Sequence, residues 1–489
     1  MSFLGLDIGT GACKAVAFDM NGNELANAIR EYTILHPGPG MAELNSQNVI
    51  ESCFDVIREV NQKITDPVDA MSISSQGEAF TPVALDGSYL GNAMVSSDIR
   101  AIDIVAEWNQ TFGVDHIYKI TGHTPHPLFT LFKILWLKKN RPEIWREARY
   151  FLCFEDLFQF QVGIDPCISW PMAGRTMMFD VRHHCWSDDI LKAIELEKSR
   201  LSRPVVSGES VGQIDLVTGK KLGFRNPVMV VAGGHDQTCA ALGAGVIKPG
   251  LCMYATGSVE CFCPMLDVPS FTEELQKNNL CCYDFTVRGK YTSVAYSLTG
   301  GNILRWVRDE LSETYSQLLQ SMPDDPTNLL VLPYFTATGT PYFDTSAQGA
   351  ILGLKLTTTK GEIIRALLEG VALEMKLNLQ LMEKSGMKIE SFVATGGGTK
   401  NEKWTQLKAD VLNKTIMTRN IKETGCFGAA MLACSAFTKI PVEDLISQNQ
   451  ETAGIFVPDE NKSTIYEQKF IMYQKLYPVL KQFWKKNET

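Results

Sequence analysis

The chain has no stretch of about 18 apolar residues, the length a helix needs to cross a bilayer. Its best candidate, PVMVVAGGHDQTCAALGAGVI, is interrupted by His235, Asp236 and Gln237, so no membrane partner is expected. It also lacks a Lys/Arg-rich block, and with a net charge of −9 it does not offer a nucleic-acid surface. There is no CxxC among its 13 cysteines. They are odd in number and scattered, the nearest being Cys261/Cys263 and Cys281-Cys282, and they read as free thiols of a reducing cytoplasm. The histidines show no zinc spacing: His123 and His126 sit in a proline-rich loop, TGHTPHPLF, and His183-His184 reads as an exposed dipeptide. No GxxxxGK[ST] occurs, and Gly396-Gly397-Gly398 is not the GxGxxG of a short βαβ unit, so P-loop and dinucleotide-binding readings are disfavoured. The first residues run straight into a strand, so no signal peptide is expected and a cytoplasmic location follows.

What is present is a long chain of ordinary globular composition. With 489 residues, 45% hydrophobic and 21% charged, it exceeds one ordinary core and calls for roughly two to four domains. Residues 4–18, LGLDIGTGACKAVAF, form an apolar strand ending on Asp7, a Gly9-Thr10-Gly11 turn and a second apolar strand entered through Lys14. Asn21-Gly22 follows where a two-residue hairpin turn wants positive φ. A hairpin tip of glycine, threonine and small residues brings backbone N–H groups close to whatever sits above it, which suits phosphate oxygens, and an aspartate at the strand end can hold Mg²⁺. The alternative is a hairpin that merely opens a sheet. A related arrangement recurs at residues 251–263, LCMYATGSVECFC, with Thr256-Gly257-Ser258 at its turn. Two such hairpins suggest two related halves with a nucleotide in the cleft between them.

The alternation of strand-like and helical runs reads as α/β. A helix is expected near 46–64, a strand at AMSISS, and helical periodicity at 128–149 with Phe129, Phe132, Leu135 and Trp136 on a core face. PVMVVAGG reads as a strand buried on both faces, and HDQTCAALGAG as the helix after it. The crossing into the second half falls in GAGVIKPG, which divides the chain into 1–246 and 247–489. Beyond it come the turn SLTGGNILRWV with Gly301, a long helix near 359–385, the strand–glycine–helix unit FVATGGGTKNEKW, and a helix starting at Gly425. The charged helical tail from about 460 reads as an external appendage.

Asp236 stands where a buried strand gives way to a helix, the rim at which open α/β sheets place ligands. It is the candidate for proton transfer, the alternative being a first-turn aspartate that satisfies free helix N–H groups. Gln237 beside it offers both donor and acceptor. Gln76-Gly77-Glu78 and Asp98-Ile99-Arg100 are further polar clusters where a small molecule can sit, although surface ion pairing also accounts for Asp98 and Arg100.

Taken in order, these segments resemble the FGGY family of carbohydrate kinases, within the actin/hexokinase/Hsp70-like ATPase superfamily, over about residues 3–440. The resemblance implies two actin-like (ribonuclease H-like) α/β domains with an ATP cleft between them. Asp7-Ile8-Gly9-Thr10 with Lys14 resembles the first phosphate motif, Ala255-Thr256-Gly257-Ser258 the second, GGHDQTCAALGAG the segment of the catalytic aspartate, GAILGLKLTTTKGEIIRALLE the C-terminal signature, and ATGGGTKNEKW the adenine-nucleotide motif. It implies ATP contacts at Gly9, Thr10, Lys14, Thr256, Gly257, Gly301, Gly397, Gly398 and Glu402. Asp236 becomes the base, Asp7 and Asp236 the Mg²⁺ carboxylates, and Gln76, Glu78, Asp98, Arg100 and Gln237 the substrate contacts. The implied reaction is transfer of the ATP γ-phosphoryl to a sugar or polyol hydroxyl, with domain closure excluding water, and a homodimer is an expected assembly. Glycerol kinases of the family have Arg-Glu at the substrate loop and xylulose kinases Met-His. This chain has Gly77-Glu78, Leu128 replaces the aromatic that glycerol kinases place over substrate, and the GHD around Asp236 is similar to fuculose-type kinases. A ketose of the xylulose, ribulose or fuculose sort is therefore favoured over glycerol, gluconate or a linear diol signalling molecule. An actin- or Hsp70-like ATPase without sugar kinase activity is the remote alternative, disfavoured by the substrate-loop segments.

Overall fold

The computed structural model describes residues 1–449 and 451–484. It is built on two six-stranded mixed sheets. The first comprises β1 (Ser2–Ile8), β2 (Ala12–Asp19), β3 (Glu24–Glu31), β4 (Val68–Ser75), β5 (Ser210–Ile214) and β6 (Val228–His235), in the order β5-β6-β4-β1-β2-β3. The second comprises β7 (Gly250–Thr256), β8 (Glu260–Pro264), β9 (Ala295–Ser297), β10 (Ile389–Thr395), β11 (Thr415–Arg419) and β12 (Thr452–Phe456), in the order β12-β11-β10-β7-β8-β9. Strand for strand the pairing senses agree: the opening hairpin is antiparallel, the two inner pairs are parallel, and the outermost strand is antiparallel. The sheets differ in one connection, since β5 precedes its neighbour β6 in the chain whereas β12 follows β11. The recurring hairpin in the sequence is thus the local sign of a repeated sheet.

Period-two alternation along β1 decides what each face meets. Leu4, Leu6 and Ile8 pack with Val49, Ile50, Val56 and Ile57 of helix α1 (Ser46–Lys63), which starts with the Asn45 side chain accepting from Asn48 N. Phe3, Gly5 and Asp7 look the other way. A Cβ on Gly5 would lie 1.8 Å from the carbonyl oxygen of Cys426, so only glycine lets that backbone come so near. Cys426 belongs to the helix Thr424–Thr438, TGCFGAAMLACSAFT, buried on nearly every side. Although it lies in the second half of the sequence, this helix covers the first sheet, with Phe427 edge-on to Phe18 at 5.2 Å. It crosses helix α2 (Asp236–Gly243) where both helices have glycine. A Cβ on Gly243 would meet the Thr424 oxygen at 2.0 Å, and one on Gly428 the Cys239 oxygen at 2.1 Å.

Four local expectations need correction. The β2–β3 turn is a three-residue loop, Met20-Asn21-Gly22, with positive φ only at Gly22 (77°); Gly22 N donates to Asp19 O at 3.0 Å, the type I turn with a left-handed glycine that suits such loops. The periodic segment 128–149 forms two helices, Thr130–Asn140 and Pro142–Glu147, because Pro142 cannot continue the first. Phe129 and Phe132 are core residues, but Leu135 and Trp136 are half-buried, Trp136 lying under the Arg100 guanidinium. His184 is not exposed: it stacks on Trp170 at 3.8 Å and contacts Asp284 at 2.9 Å. The C-terminal tail is not an appendage either, since Tyr466, Phe470 and Tyr473 of helix Glu460–Tyr473 lie in one core with Ile364, Leu367 and Val371 of the long helix Lys360–Lys384. Its charges answer partners there, Lys469 pairing with buried Glu369 and Lys376 with Glu467.

Candidate active site

The first tip is held open by its own hydrogen bonds. Gly9 N donates to Ala12 O at 3.0 Å, and the Tyr32 hydroxyl donates to Gly9 O at 2.6 Å. Gln76, expected to bind substrate, is buried and spends its amide on this tip: Nε2 donates to Gly9 O at 2.9 Å, and Oε1 accepts from Thr10 Oγ1 at 3.3 Å. It ties the Gln76-Gly77-Glu78 loop to the first hairpin tip. The β1–β2 register sets Asp7 opposite Lys14. Asp7 accepts from Ser74 Oγ at 2.6 Å; burial raises its pKa, against the lowering effects of that bond and of Lys14. Lys14 reaches Glu423 at 2.7 Å, so the hairpin is clipped to the residue just before the buried helix Thr424–Thr438. Burial opposes the Lys14 charge, but the Glu423 contact prevails and its pKa is raised.

Asp236 opens α2 at the end of β6, with His235 as N-cap. Its surroundings are dense, yet its side chain keeps 31% of its surface accessible, as a wall residue of a cleft does. Burial, then the charges of Asp7 and Glu78, raise its pKa to about 7. His235 Nε2 stands 3.1 Å from Oδ1 of Asp236 and its Nδ1 is 2.9 Å from the Tyr283 hydroxyl. Burial first, and Arg175 and His123 second, hold His235 neutral by pushing its pKa well down. Gln237 Oε1 is buried with no donor among the described residues, an orphaned acceptor that a ligand hydroxyl would satisfy.

Glu78 lies beside this wall with positive φ (64°) and pairs with Arg175. The guanidinium also meets His123 Nε2 at 3.1 Å and lies over the rings of Phe129 and Tyr283. Tyr283 arrives from the second half of the chain on the ribbon Tyr283–Asp284/Tyr291–Thr292. It docks because Gly122, at φ 68°, has no Cβ; one there would lie 1.9 Å from the Cys282 oxygen. Sequence reasoning passed over Arg175, His123 and Tyr283, which are far apart in the chain and form no motif. Behind Glu78, Lys133 Nζ reaches the carbonyls of Glu78 and Met94, and burial lowers its pKa to about 8. Asp98 and Arg100 do not join the wall. Asp98 is fully enclosed, accepting from Ala42 N at 2.8 Å and from Arg100, which also pairs with Glu43 at 2.7 Å. With Glu43 they form a largely buried ion-pair cluster that holds the Ala42 backbone.

The second tip opens on a cavity of about 880 Å³, lined by Thr256, Gly257, Gly301, Gly397, Gly398 and Asn401 among others. Gly301 N donates to Gly257 O at 2.8 Å, which joins the tip to the helix Gly301–Leu311. Glu402 is exposed and outside this lining. It is the first residue of helix Glu402–Leu412, whereas Trp404 of that helix and the preceding N-cap, Asn401, which accepts from Trp404 N at 2.8 Å, stay at the cavity. Arg305, Tyr315 and Lys400 also line it. Of these, Arg305 was within reach of the sequence, one helical turn beyond Gly301 and so on the same face.

Two family models match this chain: the N-terminal domain of the FGGY family of carbohydrate kinases over residues 2–243, and the C-terminal domain over residues 253–437. The chain belongs to the FGGY family of carbohydrate kinases. It is therefore a phosphotransferase acting on a carbohydrate with ATP as co-substrate, and it has the two-domain α/β fold of that family. A xylulose kinase of Bacillus subtilis is 27% identical to it, covering 97% of this chain and 96% of the relative. A glycerol kinase of Oleidesulfovibrio alaskensis is 30% identical, covering 93% and 94%. Among solved structures, a ligand-bound xylulose kinase from Lactobacillus acidophilus superposes with a TM-score of 0.92 at 24% identity, covering 99% of each chain; at that identity the likeness speaks for the fold. No helix among the described residues is long and apolar enough to cross a membrane.

Proposed function

We propose that this FGGY kinase transfers the ATP γ-phosphoryl to a hydroxyl of a small ketose of the xylulose, ribulose or fuculose type. The observation that carries the reading is Asp236, a carboxylate at a strand–helix junction with accessible surface and a pKa near 7, set between the Glu78 wall and the phosphate tip. A base whose pKa lies near the working pH keeps a substantial ionised fraction at the start and takes a proton in the transition state. In this reading the substrate hydroxyl gives its proton to Asp236, and Gln237 and Glu78 accept from neighbouring hydroxyls. The Gly9-Thr10 and Thr256-Gly257 tips hold the phosphates, and the cavity beside Gly397 and Gly398 receives the rest of the nucleotide. Phosphoryl transfer depends mostly on positioning and charge stabilisation, which is why Gln76, locked to Gly9 and Thr10, matters without touching the sugar.

Asp7 and Asp236 fit Mg²⁺. Both are oxygen donors, Oδ1 of Asp236 accepts no hydrogen bond among the described residues, and the Asp7 charge is felt at Asp236. Two carboxylates with phosphates and waters are the donor set that ion prefers, and it would neutralise phosphate charge in the cleft. The xylulose kinases among the relatives favour a ketose, and Gly77 with Leu128 argues for a pocket shaped differently from that of a glycerol kinase. The test is ADP release against a panel of ketoses, aldoses, polyols and gluconate. One ketose should stimulate release strongly, and Asp236→Ala should lower kcat by roughly 10²–10⁴-fold. Release independent of any sugar, or stimulated by glycerol alone, would refute the ketose reading.

A further inference from the structure

Arg175 is a charged residue of the substrate pocket that no motif predicted, and its geometry says more than that a buried ion pair exists. Gly77 leaves the space. A Cβ there would come within 3.0 Å of the His235 ring and 3.4 Å of the Arg175 Cβ. Arg175, the C-cap of the short helix Trp170–Gly174, passes beside that space with its Cβ and carries its guanidinium on to Glu78. Its contacts with Glu78 from Nε and Nη2 both fall on Oε1. Oε2 has no hydrogen-bond donor among the described residues and keeps its acceptor capacity. The guanidinium cannot turn away, being held by His123 Nε2 at 3.1 Å and packed on the faces of Phe129 and Tyr283. The remaining groups that face this pair are His123, His235, Tyr283 and Asp236, with Lys133 behind on the backbone carbonyl of Glu78.

We propose that Arg175 is a positioning residue that fixes the Glu78 carboxylate with Oε2 toward the substrate hydroxyls, and that this self-neutralised pair restricts the pocket to uncharged sugars. An arginine alone in such a site would favour a carboxylate, as in an aldonate, because a planar guanidinium binds carboxylates bidentately. Here Glu78 already occupies that fork. With that edge filled, a carboxylate-bearing substrate finds no free guanidinium fork in the pocket. The inference rests on the kinase reading for its kinetic arm, and its binding arm stands apart from turnover.

Two experiments decide it. In the kinetic arm, Arg175→Lys keeps the charge but loses the fork, and should raise the KM for the sugar roughly ten- to a hundredfold while the KM for ATP stays within about twofold. A loss of folding would move both constants and the melting temperature together. An unchanged sugar KM with an unchanged melt overturns the positioning role. In the binding arm, thermal shifts are read with gluconate for the wild-type protein and for Glu78→Gln, which is close in shape but leaves Arg175 uncompensated. Gluconate should raise the melting temperature of the variant and not of the wild type. Equal shifts in both, or a wild type that phosphorylates gluconate in preference to neutral sugars, overturn the charge argument. A wild type that turns over no ketose defeats the ketose reading, and the gluconate comparison still decides the charge argument.

Discussion

A methyl group on Gly398 would lie 2.6 Å from Oγ1 of Thr256 and 2.9 Å from its Cβ. The Thr256 tip and the glycine turn 396–398 therefore touch through a missing side chain, and the backbone of each is set by the other. Gly398→Ala must push Thr256 or the glycine turn outward, so the KM for ATP should rise about tenfold, a change of about 1.4 kcal/mol, with the KM for sugar unaltered. Steady-state kinetics with each substrate varied in turn checks this, and equal effects on both constants would mean general damage. Asp236 is the converse case, a side chain whose chemistry depends on what surrounds it. Its identity is plain in the sequence, whereas its pKa near 7 comes from burial and from Asp7 and Glu78, residues distant in the chain.

Helices decide how the two halves meet. The crossing of Asp236–Gly243 with Thr424–Thr438 is backbone on backbone at Gly243 and Gly428, and ridge-into-groove packing has no room there for a Cβ. Gly428→Ala should cost about 1–3 kcal/mol or more by overpacking, read as a lower melting temperature. Because this helix also carries the approach to Asp7 through Gly425, whose Cβ would stand 3.3 Å from Asp7 Oδ1, kcat should fall with it. On the long helix, Glu374 accepts from the hydroxyls of Tyr334 at 3.1 Å and Tyr473 at 2.5 Å. Burial, against those two bonds, raises its pKa from 4.5 to about 7. The folded protein therefore holds this proton more tightly than the unfolded chain. The stability it contributes is full below about pH 4.5 and is lost as pH rises to about 7. Glu374→Gln keeps an acceptor for both tyrosines and does not titrate. Denaturant melts across that window should show the wild-type slope, up to about 1.4 kcal/mol per pH unit for one proton, flattened in the variant.

At the scale of the molecule, the chain repeats a sheet and then interleaves the copies. The second half lends the first a covering helix and the Tyr283 ribbon, and the helix Glu460–Tyr473 packs into one core with the long helix Lys360–Lys384. Removing residues from Glu460 onward would expose the surfaces under Tyr466, Phe470 and Tyr473, each worth about 1.5–3 kcal/mol of burial. It would also strip Glu369 of its Tyr466 and Lys469 partners. The truncated protein should melt well below the full chain or fail to fold, while a cut that left its melting temperature unchanged would restore the appendage view.

The sequence by itself determined the family and the two glycine–threonine hairpin tips, and singled out Asp7 and Asp236 as candidates, because each is a contiguous string: a strand end, a turn and the next element within a dozen or so residues, with local backbone geometry dictating residue type. The same locality misled at the C-terminal tail, where a charged exterior hid the buried anchors Tyr466, Phe470 and Tyr473. Only the tertiary structure decided that Gln76 bonds to the first hairpin tip, that Asp98 accepts from Arg100, and that Arg175 meets Glu78, His123 and Tyr283. Those outcomes depend on which polar groups find partners when distant segments pack, and burial forces nearly every such group to find one. That pairing is a property of the assembled core and is not written at any one stretch of the chain.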